Sequence, residues 1–321
     1  MKSHLALALS LAVHLLTLAF VLLGGWTIAA HASSFPAWLI GGFLIAVGWL
    51  LRPRLGSLPA DAEVLDRSSA AELYGTAGRV ADRIGAGRPA RIAVRDLATD
   101  VRYERMGPLR TPTLVIGLPL WLALTPKQRV TLLAKAYADV PTAKERTVET
   151  ALATLGEWRK ALLGAEPLSV REEAQVKIAE ASLGIAASPG GYEATGFLGR
   201  IVGRVFGGPV LLVEFALSRL ARAGESRTAE RKRVRALRVV SERELDDLDR
   251  VMATGGYLAP IQAAALRGES VEQIRQGALE RSSVLTAGGD GELLALAESD
   301  RIDDELLRHY TRAIRGFGLI S

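Results

Sequence analysis

The sequence contains no cysteine and only four histidines in 321 residues. The absence of cysteine excludes disulfide bonds, thiolate zinc sites, cysteine nucleophiles and iron–sulfur clusters. The histidines are His4, His14, His31 and His309, so residues 32–308 contain none. A zinc hydrolase that relies on histidine ligands needs at least two near the centre of its fold. The composition argues against that chemistry, and we expect His309 to be a surface residue of a helix over residues 303–315.

Fixed charge is also missing from the N-terminal region, where residues 3–51 include no Lys, Arg, Asp or Glu. A polar link at residues 31–34 divides this run into two apolar segments, each close to the ~20 residues needed to cross a bilayer. Cations lie at both ends of the run, as Lys2, Arg52 and Arg54. The positive-inside rule therefore predicts an integral membrane protein with two N-terminal spans, and places both termini and the main domain in the cytoplasm.

A cleaved signal peptide is the alternative for the same region, because Ala30-His31-Ala32 has the small residues of a cleavage site. The apolar run is about twice as long as the ~7–15 residues usual in such peptides, which favours the hairpin. We therefore divide the chain into a two-span anchor at residues 1–54 and a domain at residues 55–321.

Basic residues exceed acidic ones only slightly, at 40 against 35. This excess suits an anionic membrane surface, and no basic patch interleaved with aromatic residues indicates nucleic acid as a partner. Hydrophobic residues make up 49% of the chain, which is high for a wholly soluble protein.

Periodicity predicts an α+β domain that is mainly helical. Apolar residues at three-and-four spacing predict a helix over residues 70–84, stopped by Gly85. Short segments that alternate or are β-branched predict a small sheet within residues 90–117, with strands at 91–95, 101–105 and 113–116. From about residue 142 the pattern is mostly helical.

A further helix is predicted from Pro126 to about Asp139. Thr125 is suited to cap its first turn, with proline at the first helical position and Gln128 three residues after the threonine, as in a capping box.

The two apolar spans and four later segments together resemble the HtpX-like membrane zinc metalloendopeptidases, which are gluzincins related to the CAAX prenyl proteases. The resemblance covers about residues 1–160 and is only topological beyond them. It implies a gluzincin-like domain on the hairpin, zinc as the family cofactor, and an edge strand near residues 100–106 that holds substrate. The four segments are Arg52-Pro53-Arg54-Leu55-Gly56, Ala90-Arg91-Ile92-Ala93-Val94, Gly117-Leu118-Pro119-Leu120-Trp121 and residues 124–134.

In that family the last segment leads into a helical HExxH motif, in which two histidines bind zinc and the glutamate activates water. The corresponding positions here are Lys135, Ala136 and Asp139. A protonated lysine cannot bind zinc and alanine offers no acid or base, so we predict that the metal site is lost and that no cofactor binds. Glu230 is the candidate for a remnant third ligand, with Val234 at the position of the family's aspartate.

The polar face of the same helix allows two interpretations. Thr131 and Lys135 lie one turn apart, and a lysine with a lowered pKa could act as a base toward the hydroxyl. The simpler interpretation is a solvated face with a Lys135–Asp139 pair, opposite an apolar stripe of Val130, Leu133, Ala134 and Tyr137.

Two features follow in the second half of the chain. Residues 201–217 are strongly apolar yet too short in their uncharged part to span a bilayer, so they form either a re-entrant or interfacial segment or a core helix broken at Gly208-Pro209. A dense run of cations comes next, and it predicts contact with anionic lipid; the alternative is an ordinary basic helix balanced by nearby carboxylates. The cations are Arg219, Arg222, Arg227, Arg231, Lys232, Arg233, Arg235 and Arg238.

Three functions remain open at this stage. The first is a catalytically inactive metallopeptidase homologue that binds unfolded or membrane polypeptides, or a protein subunit, without cutting them. The second is a residual zinc-dependent endopeptidase with unusual ligands or another hydrolase. The third is a basic scaffold at the membrane surface.

Overall fold

A computed structural model describes residues 2–50, 56–107, 109–163, 192–283 and 293–319. It is mainly helical with one small mixed sheet. The chain forms two compact units, one made of Met1–Arg54 and Pro141–Ser226, the other of Leu55–Val140 and Arg227–Ser321. The described parts of residues 141–226 therefore pack with the N-terminal helices, although the sequence assigned this stretch to the domain that follows the anchor.

The strands are β1 (Ala62–Val64), β2 (Arg91–Arg95), β3 (Val101–Met106) and β4 (Thr111–Gly117). The helices are α1 (Lys2–Ala30), α2 (Phe35–Leu50), α3 (Ala71–Ile84), α4 (Leu118–Ala123), α5 (Pro126–Ala138), α6 (Ala143–Leu163), α7 (Tyr192–Ala236), α8 (Glu242–Thr254), α9 (Leu258–Leu266), α10 (Val271–Ser283) and α11 (Leu296–Leu319).

Helix α1 is apolar on the outside and small or polar on the inside, the reverse of a helix on a water-soluble protein. Its buried stripe includes Ala6, Ser10, Val13 and Thr17, whereas its leucines are largely exposed. Of the residues described, Leu5–Ala30 is long and apolar enough to cross a membrane, and Phe35–Trp49 is a shorter apolar helix. An apolar exterior of this kind fits a surrounding of lipid.

Helices α1 and α2 pack closely because glycines lie at their interface. A Cβ on Gly41 would lie 2.7 Å from the Gly24 carbonyl oxygen and 2.5 Å from Cγ1 of Ile28. A Cβ on Gly48 would lie 2.5 Å from Cγ2 of Val21. Small residues that let two helix backbones approach are typical of membrane helix pairs.

Helix α7 is continuous through Gly208 and Pro209, so the predicted break at this point does not occur. Val210 and Leu217 are buried with Ala6 and Val13 of α1 and with residues of α6, while Leu212 and Phe215 are exposed. The described part of the 201–217 segment thus has a buried face and an apolar outer face.

The sheet of the second unit has the strand order β1-β2-β4-β3. Strands β2 and β4 are parallel, and β1 and β3 pair antiparallel with them at the two edges. All three predicted strands are present, with β4 longer than expected. The sequence did not predict β1, because three residues are too few for an alternating pattern.

The core of this unit lies between the sheet and the surrounding helices. Helix α3 ends at Gly85, whose φ of 75° is left-handed as the stop signal requires. The predicted stripe of α5 is buried in the core, with Leu133, Ala134 and Tyr137 inaccessible to solvent.

An ion network of two guanidinium groups and one carboxylate connects the C-terminal helices to α4 and α5. Arg129, fully buried on α5, contacts Asp303 of α11 and donates to the Trp121 carbonyl and the Ser299 hydroxyl. Arg275 of α10 contacts the other carboxylate oxygen of Asp303 at 3.1 Å and donates to the carbonyls of Leu122 and Leu124.

His309 is 1% exposed, so the expectation of a surface residue was wrong. It lies on the face of α11 that turns toward β1, where its Nδ1 is 3.5 Å from a carboxylate oxygen of Glu63. Its Nε2 accepts a hydrogen bond from Arg308 at 3.0 Å.

Candidate functional site

The candidate site lies on α5, whose start is fixed locally. The Thr125 hydroxyl accepts from the Gln128 amide, and the Gln128 side chain accepts from the Thr125 amide at 3.0 Å, which confirms the predicted capping box. Pro126 occupies the first turn. The positions that the resemblance assigns to the metal motif, Lys135, Ala136 and Asp139, follow at the C-terminal end of the helix.

The first of these positions, Lys135, is joined to helix α8. Its ammonium donates to a carboxylate oxygen of Asp249 and lies 3.9 Å from the sulfur of Met252. The lysine is only one-third exposed. The polar face of α5 is therefore covered at Lys135 rather than solvated. The ion-pair partner of Lys135 is Asp249 and not Asp139, which the helical spacing suggested.

The last position, Asp139, pairs instead with Lys232 of α7 at 3.4 Å. The neighbouring Arg231 donates to the carbonyl of Val140 at 3.5 Å. Cations of α7 thus close the end of α5 at the point where a second histidine would be needed.

Between these two positions, Ala136 is buried. The Thr131 hydroxyl donates to the Lys127 carbonyl at 2.9 Å, and the Lys135 ammonium donates to Asp249. Both groups of the hypothetical hydroxyl–amine dyad therefore have other partners.

A tyrosine pair connects α5 to strand β3. The rings of Tyr103 and Tyr137 meet edge to face with centroids 4.7 Å apart. Burial raises the pKa of Tyr137, with the nearby Tyr103 and Asp82 adding to the effect. Burial also raises the pKa of Tyr103, whose hydroxyl donates to the Gly87 carbonyl at 2.6 Å. Both phenols are neutral over the physiological range, so the pair positions β3 against α5.

Glu230, the remnant ligand suggested by the resemblance, is exposed on α7 beside the two cations that contact the end of α5. In the part of the chain that the structure describes, no three His, Asp or Glu residues are grouped as metal ligands. The donor set at the motif positions is one ammonium, one methyl group and one carboxylate already paired with a lysine. These residues do not fit a zinc ion.

Strand β3 is an edge strand whose outer backbone groups face away from the sheet. The Gly117 amide donates to the Asp100 carbonyl at 2.9 Å, which fixes the alternation of the antiparallel ladder. The backbone groups of Arg102 and Glu104 therefore hydrogen-bond to β4, whereas the backbone amides of Tyr103 and Arg105 point away from the sheet. No strand of the described ranges pairs with this outer edge.

The eight cations of the expected lipid contact divide into two groups. Lys232 and Arg231 contact the end of α5, Arg233 pairs with Glu242 and Asp246, and Arg238 donates to the Ile84 carbonyl. Arg219, Arg222 and Arg227 are exposed and Arg235 is half-buried. Lipid contact stays a prediction, and the exposed cations are the ones free to make it.

Comparison with protein-family models, curated proteins and solved structures finds no match to this chain. The roles of the site residues therefore depend on the geometry described above. Sequence reasoning missed Asp249 and the Arg129–Asp303–Arg275 network. Asp249 lies 114 residues from Lys135 and Asp303 lies 174 residues from Arg129, and no local pattern links them. Arg275 is 28 residues from Asp303, which is also beyond the reach of helical spacing.

Proposed function

We propose that this chain is a membrane-anchored, catalytically inactive relative of the HtpX-type zinc metallopeptidases, which binds polypeptide without cleaving it. The observation that carries the proposal is the pairing of Lys135 with Asp249, which holds an ammonium group at the position of the first histidine. A positive charge at that position repels a metal ion.

The binding half of the proposal rests on the outer edge of β3. An extended polypeptide that adds to an edge strand gains main-chain hydrogen bonds with little dependence on its sequence. The outward amides of Tyr103 and Arg105 are available for such bonds, and the tyrosine pair holds the strand against α5.

The anchoring half rests on α1 and α2. We propose that α2 is a second span antiparallel to α1, because the glycine contacts join the two helices along their lengths. A signal peptide that is cleaved off does not require close packing against a second helix such as α2. The cations at both ends of the hairpin favour a cytoplasmic domain and cytoplasmic termini.

The experiment uses the full chain in detergent micelles with fluorescent unfolded casein, at a salt concentration that screens surface charge. We expect a rise in anisotropy on binding and no fragments on a gel, with zinc or with chelator. Arg105→Pro removes one outward amide and should weaken binding about 2–10-fold, the value of one hydrogen bond. The matched variant Arg105→Ala keeps the amide and should bind as the unmodified chain does.

Three outcomes contradict the proposal. Stoichiometric zinc in the purified chain, together with cleavage that a chelator abolishes, would establish the residual endopeptidase instead. Equal binding by the proline and alanine variants, or no binding at all, would remove the role of β3 and favour a basic scaffold.

A further inference from the structure

The two ends of the sheet differ in charge and in exposed apolar surface. One end contains the turn between β3 and β4 together with the first residue of β2. At the other end, Arg95 pairs with Asp61, and Arg312 contacts both Asp96 and Glu63, so the charges are neutralised in pairs.

At the first end a leucine projects from the turn. The Arg110 amide donates to the Gly107 carbonyl at 3.1 Å, between the end of β3 and the start of β4. Leu109 in this turn is 89% exposed, more than any other large apolar side chain among those described. A leucine in water at the tip of a turn contributes nothing to the core, whereas it can enter the boundary of a bilayer.

Three exposed arginines lie at the same end of the sheet as the leucine. Arg105 ends β3, Arg110 closes the turn and Arg91 begins β2, whose pairing with Thr113 brings it to the same end of the sheet. Within the described residues none of the three makes an ion pair. Glu104 on β3 and Asp66, which follows the Leu65–Ile92 hydrogen bond beside β2, are acidic residues at the same end, so the three arginines leave it basic on balance. Each cation near an anionic bilayer adds to the attraction between the protein and the lipid surface.

The length of the connecting chain limits how far this end of the sheet can lie from the end of α2. The Gly107 amide donates to the Gly56 carbonyl at 2.8 Å, and Gly56 follows Leu50, the last residue of α2, by six residues. Six residues span at most roughly 22 Å when fully extended. A membrane that contains α2 is therefore within reach of the turn, and Arg52 and Arg54 lie in the connecting stretch.

We propose that this end of the sheet docks on the anionic bilayer surface, with Leu109 inserted among the lipids and Arg91, Arg105 and Arg110 at the headgroups. The inference rests on the membrane anchoring proposed above and is independent of polypeptide binding. Docking would fix the orientation of the sheet at the bilayer, and with it the direction in which the outer edge of β3 faces.

Because the chain contains no cysteine, a single introduced cysteine is the only site that a thiol-reactive label can modify. The full chain with Leu109→Cys carries a nitroxide label in vesicles of phosphatidylcholine with phosphatidylglycerol. Leu97→Cys, in the connection at the opposite end of the same sheet, is the matched control. The collision rate of the nitroxide with oxygen, which concentrates in lipid, is compared with its collision rate with a water-soluble nickel chelate.

We expect the label at position 109 to collide more often with oxygen than with the nickel chelate, and the label at position 97 to show the opposite preference. Arg91→Gln combined with Arg110→Asn should shift the 109 label toward nickel, since the cations that hold it are removed; asparagine tolerates the positive φ of Arg110. Equal nickel access at 109 and 97, protection of 109 from both probes by a protein contact, or failure of the chain to enter vesicles would each overturn the proposal.

Discussion

At the scale of single residues, the Arg129–Asp303–Arg275 network has an unusual charge balance. Two guanidinium groups share one carboxylate in the interior, with the hydroxyl of Tyr310 donating to the same carboxylate at 2.8 Å. Burial lowers the pKa of Arg275 to about 10, with repulsion from Arg129 in the same direction and attraction to Asp303 opposing it. Asp303 is therefore the residue on which both buried cations depend.

Replacing Asp303 tests this dependence. Asp303→Asn leaves two buried cations without their shared anion, so we expect the free energy of unfolding to fall by about 3–5 kcal/mol. Urea unfolding in detergent micelles measures the change. Asp304→Asn, an exposed neighbour, is the control and should change stability by less than about 0.5 kcal/mol. Similar losses for both variants would mean that the network is not the cause.

His309 introduces a dependence of stability on pH. Burial lowers its pKa below the ordinary value of 6.5, and repulsion by Arg308 and Arg312 adds to this while Glu63 and Asp96 oppose it. The unfolded chain therefore binds a proton more readily than the folded chain, and stability falls as the pH drops below the ordinary value. The hydrogen bond from Arg312 lowers the pKa of Glu63, so the stability due to Glu63 is lost only in a more acidic range.

We expect a lower thermal midpoint of unfolding at about pH 5.5 than at about pH 7.5. This fall in the midpoint should be smaller in His309→Gln, because glutamine takes up no proton in this range. Scanning fluorimetry at the two pH values measures both proteins. If the glutamine variant loses as much stability as the unmodified chain, another group is responsible.

At the scale of helices and strands, the close packing of α1 against α2 can be tested with two neighbouring glycines, of which only one lies in the interface. Gly41→Ala places a methyl group against the Gly24 carbonyl and Ile28, whereas Gly42→Ala, one residue later, meets nothing within 4 Å. We expect the first variant to lower the thermal midpoint in detergent and the second to leave it unchanged or raise it slightly, since alanine is the better helix former. Equal effects would argue against close packing of the hairpin.

The elements differ in how far the sequence predicts them. The start of α5 was predictable because Thr125 and Gln128 satisfy each other's amides within one turn. The same reciprocal bonds begin α6, α8 and α10, at Thr142, Ser241 and Ser270. The partner of Lys135 was not predictable, because helical spacing offered Asp139 and only the fold brings Asp249 close. Local pairs are visible in a sequence, whereas contacts between distant segments depend on packing.

At the scale of the whole molecule, the charge-free run and its flanking cations predict the orientation in the membrane. Reporter fusions after Arg54 and at Ser321 should both give a cytoplasmic signal in cells, because the proposed hairpin has cations at both ends and cations are retained in the cytoplasm. A fusion within residues 31–34 should report the opposite side. An exported C-terminus, or a mature N-terminus near Ser33, would establish the signal-peptide alternative.

The order of segments along the chain also sets a delay during synthesis. Each unit is assembled from two separate stretches, and Arg129 meets Asp303 across 174 residues. At roughly 5–20 residues per second, a ribosome takes about 9–35 s to deliver the second residue after the first. During that time α5 exists without the carboxylate that its buried arginine requires, although its capping box and its contacts with α3 and β3 lie in the stretch already synthesised. The nascent chain is therefore exposed to aggregation and to chaperones for much longer than its helices need to form.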